Sequence, residues 1–146
     1  MLQVKDYILK PVVQGDLDWL LNLRKETMTE HLLNSGMSIE EAEFKKRTLY
    51  NFEDTQIIIQ NDNQIGMIKV KKEKEFYELI QIQISPKYQG KGIGKCVIED
   101  LITEARQKGL PIYLSVLKTN TAKSLYEALG FEVYDEDDNS IKMKRV

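Results

Sequence analysis

A glycine-rich segment in the second half of the chain is the clearest sign of a ligand site. The six residues from Gln89 to Gly94 read QGKGIG and lie between a strand-like run and a helix-like run. Glycine permits sharp backbone turns and lets a ligand approach the main chain without meeting a Cβ atom. The following helix begins with unpaired N–H groups and the positive end of its dipole, which attract anions. Lys91 and Lys95 add positive charge, so the segment predicts a phosphate-binding loop, with a plain strand-to-helix turn as the alternative.

Two familiar phosphate-binding motifs do not fit this loop. A P-loop needs a glycine five residues before the Gly94-Lys95 pair and Ser or Thr after the lysine, but those positions hold Gln89 and Cys96. A dinucleotide-binding fingerprint needs a glycine three residues after Gly92 or Gly94, where the chain has lysine and valine. Both motifs are therefore excluded.

Hydrophobic periodicity and turn residues predict the elements that would position the loop. Strands are predicted at residues 4–9, 55–60, 65–72, 76–85, 111–116, 131–134 and 141–146. Helices are predicted from a cap at Asp16 to a break at 34–36, from a capping-box pattern at Ser38 and Glu41 to residue 50, and at 95–108 and 120–129. The order βααβββαβαββ contains one strand–helix–strand unit, which implies a parallel pair with a right-handed crossover in a mixed α/β sheet.

Composition narrows the class of protein. The 146 residues match one domain, 1–146, on the usual figure of roughly 150 residues per domain. The 21 Lys and Arg against 23 Asp and Glu give a net charge of −2, which argues against nucleic-acid binding as the main task. One cysteine and one histidine exclude an intramolecular disulfide and a multi-cysteine or multi-histidine metal site. No apolar stretch approaches the roughly 20 residues of a membrane helix, and no signal peptide is predicted, so we expect a cytoplasmic protein without membrane partners.

Two motifs give a specific resemblance. Gln89–Gly94 resembles the Q/R-x-x-G-x-G/A signature of the GNAT superfamily of acetyl-CoA-dependent N-acetyltransferases. Residues 120–131, NTAKSLYEALGF, resemble that superfamily's second signature, N-x-x-A-x-x-x-Y-x-x-x-G-F. The strand before the loop and the two leading helices fit the same fold, so the resemblance covers nearly all of the chain.

The resemblance implies acetyl-CoA as cosubstrate, with no metal. The strand ending near Ile84 would splay from the next parallel strand, and its unpaired backbone groups would bond the pantetheine arm. Loop amides would receive the pyrophosphate, Asn120 would bond the pantetheine amides, and Lys123 would approach the phosphate end, with helix capping and a solvated side chain as the respective alternatives. The implied cofactor-binding residues are Ile82, Ile84, Gln89, Gly90, Lys91, Gly92, Ile93, Gly94, Lys95, Asn120 and Lys123.

The resemblance also implies two catalytic residues. Tyr126, at the border of its helix's apolar stripe, would be the general acid that protonates the coenzyme A sulfur, with an ordinary partly buried tyrosine as the alternative. Glu78 would be the base that deprotonates the amine, with a solvated carboxylate and an ordered water base as the alternatives. The alternation predicts that Glu78 shares a strand face with Ile80, Ile82 and Ile84. Gln81 and Gln83, on the opposite face, would orient water or substrate.

Other residue types allow weaker interpretations. Cys96 is a nucleophile or a packed side chain, and His31 is a substrate contact or a surface residue. Trp19 is interpreted as a packing residue, and the acidic residues 135–138 as a solvated turn.

The predicted activity is direct transfer of acetyl from acetyl-CoA to a primary amine in a ternary complex, with a backbone amide near Ile82 stabilising the oxyanion. A non-catalytic acyl-CoA-binding module and a nucleotide-binding protein are the alternatives. The acceptor, a small molecule or a protein, and the oligomeric state, a homodimer included, stay open.

Overall fold

The computed structural model describes residues 6–34 and 41–146, and its element order is the predicted one. The described strands are β1 (Ile8–Pro11), β2 (Thr55–Gln60), β3 (Asn63–Lys72), β4 (Tyr77–Ile84), β5 (Ile112–Leu117), β6 (Glu132–Glu136) and β7 (Ser140–Arg145). The described α-helices are α1 (Leu17–Asn34), α2 (Glu41–Leu49), α3 (Ile93–Gln107) and α4 (Ala122–Ala128). The mixed α/β fold class is confirmed. None of the helices in the described ranges is long and apolar enough to cross a membrane.

The strands form one sheet in the order β1-β2-β3-β4-β5-β7-β6, in which β4 and β5 are the parallel neighbours. These two strands pair only where Tyr77–Leu79 faces Ile112–Leu114. β4 continues to Ile84 and β5 to Leu117, but the continuing residues do not pair with each other. The predicted splay of the central parallel strands is confirmed, and it opens a gap at the carboxyl ends of both strands.

Two hydrophobic clusters hold the layers together. The larger cluster packs α3 and α4 on one face of the sheet, and the apolar residues of α3 that follow helical spacing are buried in it: Val97, Ile98, Leu101, Ile102 and Ala105. The smaller cluster packs α1 on the opposite face through Leu20 and Leu23, with Ile57 and Met67 from the sheet. Burying one large aliphatic side chain stabilises a fold by about 1.5–3 kcal/mol. The buried apolar stripe of α3 therefore holds this helix firmly against β4 and β5.

A β-bulge in β4 overturns one predicted face. Val70 of β3 pairs with Leu79, and Lys69 pairs with Gln81, so Ile80 has no partner in β3. The extra residue reverses the alternation, and Ile82 and Ile84 pack with Tyr77 and Leu79 in the larger cluster. The prediction that Glu78 and Ile80 share a face with Ile82 and Ile84 is therefore wrong. Glu78 pairs across the strands with Lys71 and Tyr113, and its side chain lies on the sheet face away from Ile82 and Ile84.

Most element boundaries differ from the prediction by no more than two residues, and the start of the chain shows two differences of detail. β1 runs from Ile8 through Pro11 rather than ending before it, because an edge strand tolerates the missing N–H group of proline. Asp16 ends a 3₁₀ turn before α1, and its carboxylate accepts a hydrogen bond from the Val13 N–H (2.9 Å) rather than capping α1. The capping box at Ser38 lies outside the described residues.

Candidate active site

A cavity of about 830 Å³ occupies the gap between the splayed strands. Its lining residues come from both strands, from α1, α2 and α4, and from the loops beside them: Arg24, Glu43, Lys46, Arg47, Leu49, Tyr50, Leu79, Ile80, Gln81, Ile82, Gln83, Leu114, Ser115, Val116, Leu117, Asn120, Tyr126 and Ser140. We name the two sides of the gap after the substrates that the resemblance implies: β4, β5, α4 and the adjoining glycine loop are the cofactor wall, and α1, α2 and Lys69 are the acceptor wall. The gap is thus a large concave site with polar groups on both sides.

The glycine loop has the backbone geometry of an anion cradle. Gly90 and Gly92 have φ values of 77° and 81°, which side chains with a Cβ rarely adopt. Gly92 is the N-cap of α3, and the Cys96 N–H makes the first intrahelical bond, to the Gly92 carbonyl (3.0 Å). The N–H groups that precede Cys96 in this turn therefore have no intrahelical carbonyl to bond. The helix starts two residues earlier than predicted, which places these free donors inside the loop motif itself.

A side-chain hydrogen bond joins this loop to the strand before it. The Gln89 side chain donates from Nε2 to the Ile84 carbonyl (2.9 Å), which joins the loop to the end of β4. A Cβ atom built on Gly94 would meet only Ile84 Cγ1, at an ordinary contact distance of 3.7 Å. The fold itself therefore does not require glycine at position 94, and close approach of a ligand is the remaining physical reason for it. Lys91 lies over the Tyr88 ring at 5.7 Å, and Lys95 is exposed.

Tyr126 is more deeply buried than the sequence predicts. It is 7% exposed and is the buried residue of α4. Its ring packs edge-on against Phe131 at 5.7 Å, and it lines the cavity. Burial raises the pKa of the Tyr126 hydroxyl to about 12, so the group is protonated at neutral pH. A protonated hydroxyl beside the gap is suited to donate a hydrogen bond there.

Asn120 has a structural role and also lines the cavity. Its Oδ1 accepts a hydrogen bond from the Ala122 N–H (2.9 Å) at the start of α4. Its side-chain amide keeps two N–H donors beyond this bond. Counting back from Tyr126, the motif's asparagine would fall at Thr119, so Asn120 is displaced by one residue while Ala122, Gly130 and Phe131 match. Asn120, and not Thr119, lines the cavity.

The other predicted site residues divide between the gap and its surroundings. Ile82 lines the cavity, while Ile84 packs on the core beneath the loop. Gln81 and Gln83 also line it, and Gln83 is buried. Lys123 and Glu78 are half-buried residues outside this lining, and their roles stay predictions.

The weaker interpretations also have outcomes. Trp19 packs against the smaller cluster, as predicted. Asp137 Oδ1 accepts hydrogen bonds from the N–H groups of Asn139 and Ser140, so Asp137 and Asp138 lie in an exposed turn, whereas Asp135 and Glu136 belong to β6. Cys96 is partly buried and does not line the cavity. The His31 side chain lies outside the described part of the chain.

The acceptor wall contains charged residues that the sequence reasoning missed. Arg24 is 4% exposed, lines the cavity, and has no hydrogen-bond partner at Nε. Burial, and then the nearby Arg47 charge, lower the pKa of Arg24 to about 10, so the guanidinium is charged at neutral pH. A signal was present in the sequence, because Arg24 continues the helical spacing of Leu17, Leu20 and Leu21 on an inward stripe.

Lys69 is a fully buried lysine of β3 that forms hydrogen bonds with the end of α2. Lys69 donates from Nζ to the carbonyls of Arg47 (3.1 Å), Thr48 (3.1 Å) and Tyr50 (2.6 Å). These carbonyls belong to the end of α2, where a helix has no internal donors left. Burial, followed by the Arg24 charge, lowers the pKa of Lys69 to about 8. Lys69 thus joins β3 to the helix that carries the acceptor wall.

Comparison with known proteins agrees with this geometry. A family model described as an acetyltransferase (GNAT) domain matches residues 26–142. A ribosomal protein bS18-alanine N-acetyltransferase of Haemophilus influenzae is 35% identical over 79 residues, which are 53% of this chain and 54% of that protein. The matched segment therefore spans about half the length of this curated relative.

Two solved structures share the fold. An acetyltransferase of Thermus thermophilus superposes with a TM-score of 0.77 at 22% identity, covering 99% of both chains. A PaiA N-acetyltransferase of Thermoplasma acidophilum, in complex with coenzyme A, superposes with a TM-score of 0.72 at 20% identity, covering 95% of this chain and 98% of that one. With the family match over most of its length, the chain belongs to the GNAT superfamily of N-acetyltransferases.

Proposed function

We propose that this protein transfers the acetyl group of acetyl-CoA to the primary amine of an acceptor by direct attack, with both substrates bound together. The observation that carries the proposal is the gap between β4 and β5, which Tyr126 lines and beside which the glycine loop is bonded to the end of β4. Family membership supports it, as does the coenzyme A complex of the Thermoplasma neighbour. The cytoplasmic location expected from the sequence is part of the proposal.

The residues present suit acetyl-CoA. The free amides of residues 90–95 would hold the pyrophosphate, and backbone groups of β4 beyond Leu79, around Ile82 and Ile84, would bond the pantetheine arm as a neighbouring strand does. Asn120 would add a side-chain donor, and Lys91, Lys95 and Lys123 would contribute positive charge around the phosphates. Bound acetyl-CoA would supply a thioester carbonyl for the amine to attack.

Tyr126 would act mainly by hydrogen bonding. A phenol with a pKa of about 12 is roughly 3.5 units weaker as an acid than a typical thiol, so complete proton transfer to a thiolate is uphill by about 5 kcal/mol. Its hydroxyl can stabilise the charge that develops on the sulfur before a proton arrives from solvent. A backbone N–H near Ile82 would stabilise the carbonyl oxygen in the same way.

The cavity favours an acceptor with an α-amine. In the described part of the chain its lining includes one carboxylate, Glu43, so the amine must lose its proton largely to water. At neutral pH this costs roughly 4–5 kcal/mol for a lysine side chain but only about 1 kcal/mol for an α-amine. The Haemophilus influenzae relative is named as an alanine N-acetyltransferase, which agrees with this preference. Glu78 would take part as a base only through a bridging water.

A thiol-release assay tests the proposal directly. Acetyl-CoA is mixed with a panel of peptides, amino acids, polyamines and amino sugars, and free coenzyme A is measured. We expect amine-dependent release that is highest for α-amines. Binding of acetyl-CoA without release for any amine would instead identify a non-catalytic acyl-CoA-binding module, and preferential binding of ATP or NAD would identify a nucleotide-binding protein.

A further inference from the structure

We infer that the acceptor carries an anionic group, in the first place a carboxylate, and that Arg24 with Arg47 binds it on the acceptor wall. This inference rests on the proposed function, because it names the substrate class of the same cavity. It concerns side chains of α1 and α2, which the glycine loop and the second motif do not include.

The inference rests mainly on the environment of the Arg24 side chain. Its side chain is 4% exposed, lines the cavity, and leaves Nε without a hydrogen-bond partner. A buried N–H of a charged group that has no hydrogen-bond partner is unfavourable, whereas the same N–H bonded to an anion is compensated. A ligand that brings a carboxylate to this point would therefore satisfy a group that the folded chain leaves unsatisfied.

The surrounding charged residues make the acceptor wall positive on balance. Lys46 and Arg47 line the same wall, and the carboxylate that lines it in the described part of the chain is Glu43. Lys69 lies beneath with its ammonium bonded to three carbonyls of the α2 end, and Glu53 and Asp54 act electrostatically on Lys69 rather than on Arg24. The cavity side of the wall thus keeps more cationic than acidic groups.

The chemistry of guanidinium defines the ligand class. Its planar fork matches a carboxylate with two parallel hydrogen bonds, which a single ammonium cannot provide. Like charges repel, so this wall disfavours polyamine acceptors. Two sources supply the required group: the α-carboxylate of a free amino acid, and an acidic side chain near the N-terminus of a peptide.

Paired acceptors test the inference on the intact protein. The peptide arm compares an Ala-Glu N-terminus with Ala-Gln, and the amino-acid arm compares alanine with alaninamide, at equal concentrations of unprotonated amine. Because a hydrogen bond to a charged group contributes about 1.5–3 kcal/mol, we expect kcat/KM to be about ten- to a hundredfold higher for the charged member of one pair. The arm that shows the ratio identifies the source, and added salt should reduce the ratio.

Variants assign the effect to the wall. Arg47→Gln should reduce the charged-to-neutral ratio several-fold, and Lys45→Gln, which removes a positive charge from an exposed α2 position outside the cavity lining, should leave the ratio unchanged. Arg24→Lys keeps the charge and loses the fork, so it should also reduce the ratio. The thermal unfolding midpoints of Arg24→Lys and Arg24→Gln are measured as well, so that a loss of acceptor recognition can be told from a loss of folding.

The outcomes separate this inference from the proposed function. Equal kcat/KM for both members of each pair, a preference for polyamines, or an unchanged ratio in Arg47→Gln and in folded Arg24→Lys would overturn the anionic-acceptor inference while acetyl transfer stands. Absence of coenzyme A release with every amine, neutral ones included, would overturn the proposed function itself.

Discussion

The cofactor wall and the acceptor wall present different kinds of chemical groups. The cofactor wall uses main-chain groups: the free amides after Gly90 and Gly92 and the unpaired edge of β4 beyond Leu79. The acceptor wall uses charged side chains, with Arg24 buried against the cavity and Lys69 holding the end of α2. Backbone recognition leaves a mark in the sequence because it requires glycine at positive φ, whereas charged side chains on a helix resemble ordinary surface residues.

The difference suggests a division of labour that mutations can separate. Changes in the loop should act on acetyl-CoA affinity, changes at Tyr126 on turnover, and changes on the acceptor wall on stability and acceptor choice. A single variant that altered all of these quantities together would contradict the division.

The largest effect is expected from Gly92→Glu. The substitution puts a side chain on a residue with φ of 81° and a carboxylate among the amides that would hold the pyrophosphate. Several charge-assisted hydrogen bonds would be lost, so the Kd for acetyl-CoA should rise roughly a hundredfold or more in calorimetric titration.

Gly109→Glu is the matched control for that variant. Gly109 has a similar φ of 69°, lies just beyond the other end of α3, and has open space around its Cβ position. It should show the same backbone strain with normal acetyl-CoA binding. Normal binding by Gly92→Glu would remove the loop from the cofactor wall.

Tyr126→Phe should show the next largest effect. Loss of a positioned proton or hydrogen-bond donor lowers turnover typically by about a hundredfold or more, and because we propose that Tyr126 acts mainly by hydrogen bonding we expect kcat to fall about ten- to a hundredfold. The Kd for acetyl-CoA should stay unchanged, since the ring and its contact with Phe131 are kept. Tyr113→Phe, at a tyrosine outside the cavity lining, is the control. Unchanged kcat in Tyr126→Phe would show that the hydroxyl has no part in the chemistry.

Lys69→Met should affect stability more than cofactor binding. Three carbonyls at the end of α2, one buried and two partly buried, lose their donor, so the free energy of unfolding in urea should fall by about 1–3 kcal/mol relative to an exposed Lys45→Met control. Because α2 belongs to the acceptor wall, the Kd for acetyl-CoA should not change. A weakened Kd of similar size would mean that the two walls are coupled through β3.

The same lysine predicts a pH dependence of stability. Its folded pKa of about 8 lies below the ordinary value of 10.5, so between these pH values the unfolded chain binds more protons than the folded one. The contribution of Lys69 to stability therefore rises with pH from about 8 towards 10.5 and is flat below about 8. Urea unfolding at pH 7.5 and 9.5 should show this rise in the wild type and less of it in Lys69→Met. An identical pH dependence in both proteins would show that Lys69 does not titrate in this range.

The smallest effect is expected from Glu78→Gln. Glu78 lies opposite Lys71 and Tyr113 and does not line the cavity, so kcat/KM should change less than about threefold and its pH profile should not move. A shifted acidic limb would instead identify Glu78 as the base.

The sequence predicted the cofactor wall better than the acceptor wall. Hydrophobic periodicity predicted the element order, glycine spacing predicted the loop, and the splayed strands followed from the family resemblance that the loop and the Tyr126 motif carry. The face of Glu78 was wrong because one bulged residue, Ile80, reverses every side chain after it, and strict alternation contains no signal for such an insertion.

The acceptor wall depends on contacts between residues far apart in the chain. Lys69 lies within a predicted strand, and nothing local indicates that its ammonium reaches the end of α2, some twenty residues earlier in the chain. Arg24 did leave a trace, a cation on an inward helical stripe, but only burial shows that it faces a cavity. Residue type and spacing therefore predicted the loop whose main chain we propose as a binding site, and tertiary structure was needed to find the charged side chains.

A crystal structure with acetyl-CoA is the most direct test of the central claim that the gap between β4 and β5 is a thioester site. We predict electron density for the pantetheine arm between the two strands beyond Leu79, with the pyrophosphate at the amides of residues 90–95 and the thioester close to Tyr126. A gap closed by strand pairing, or acetyl-CoA bound at another surface, would contradict the claim and the activity derived from it.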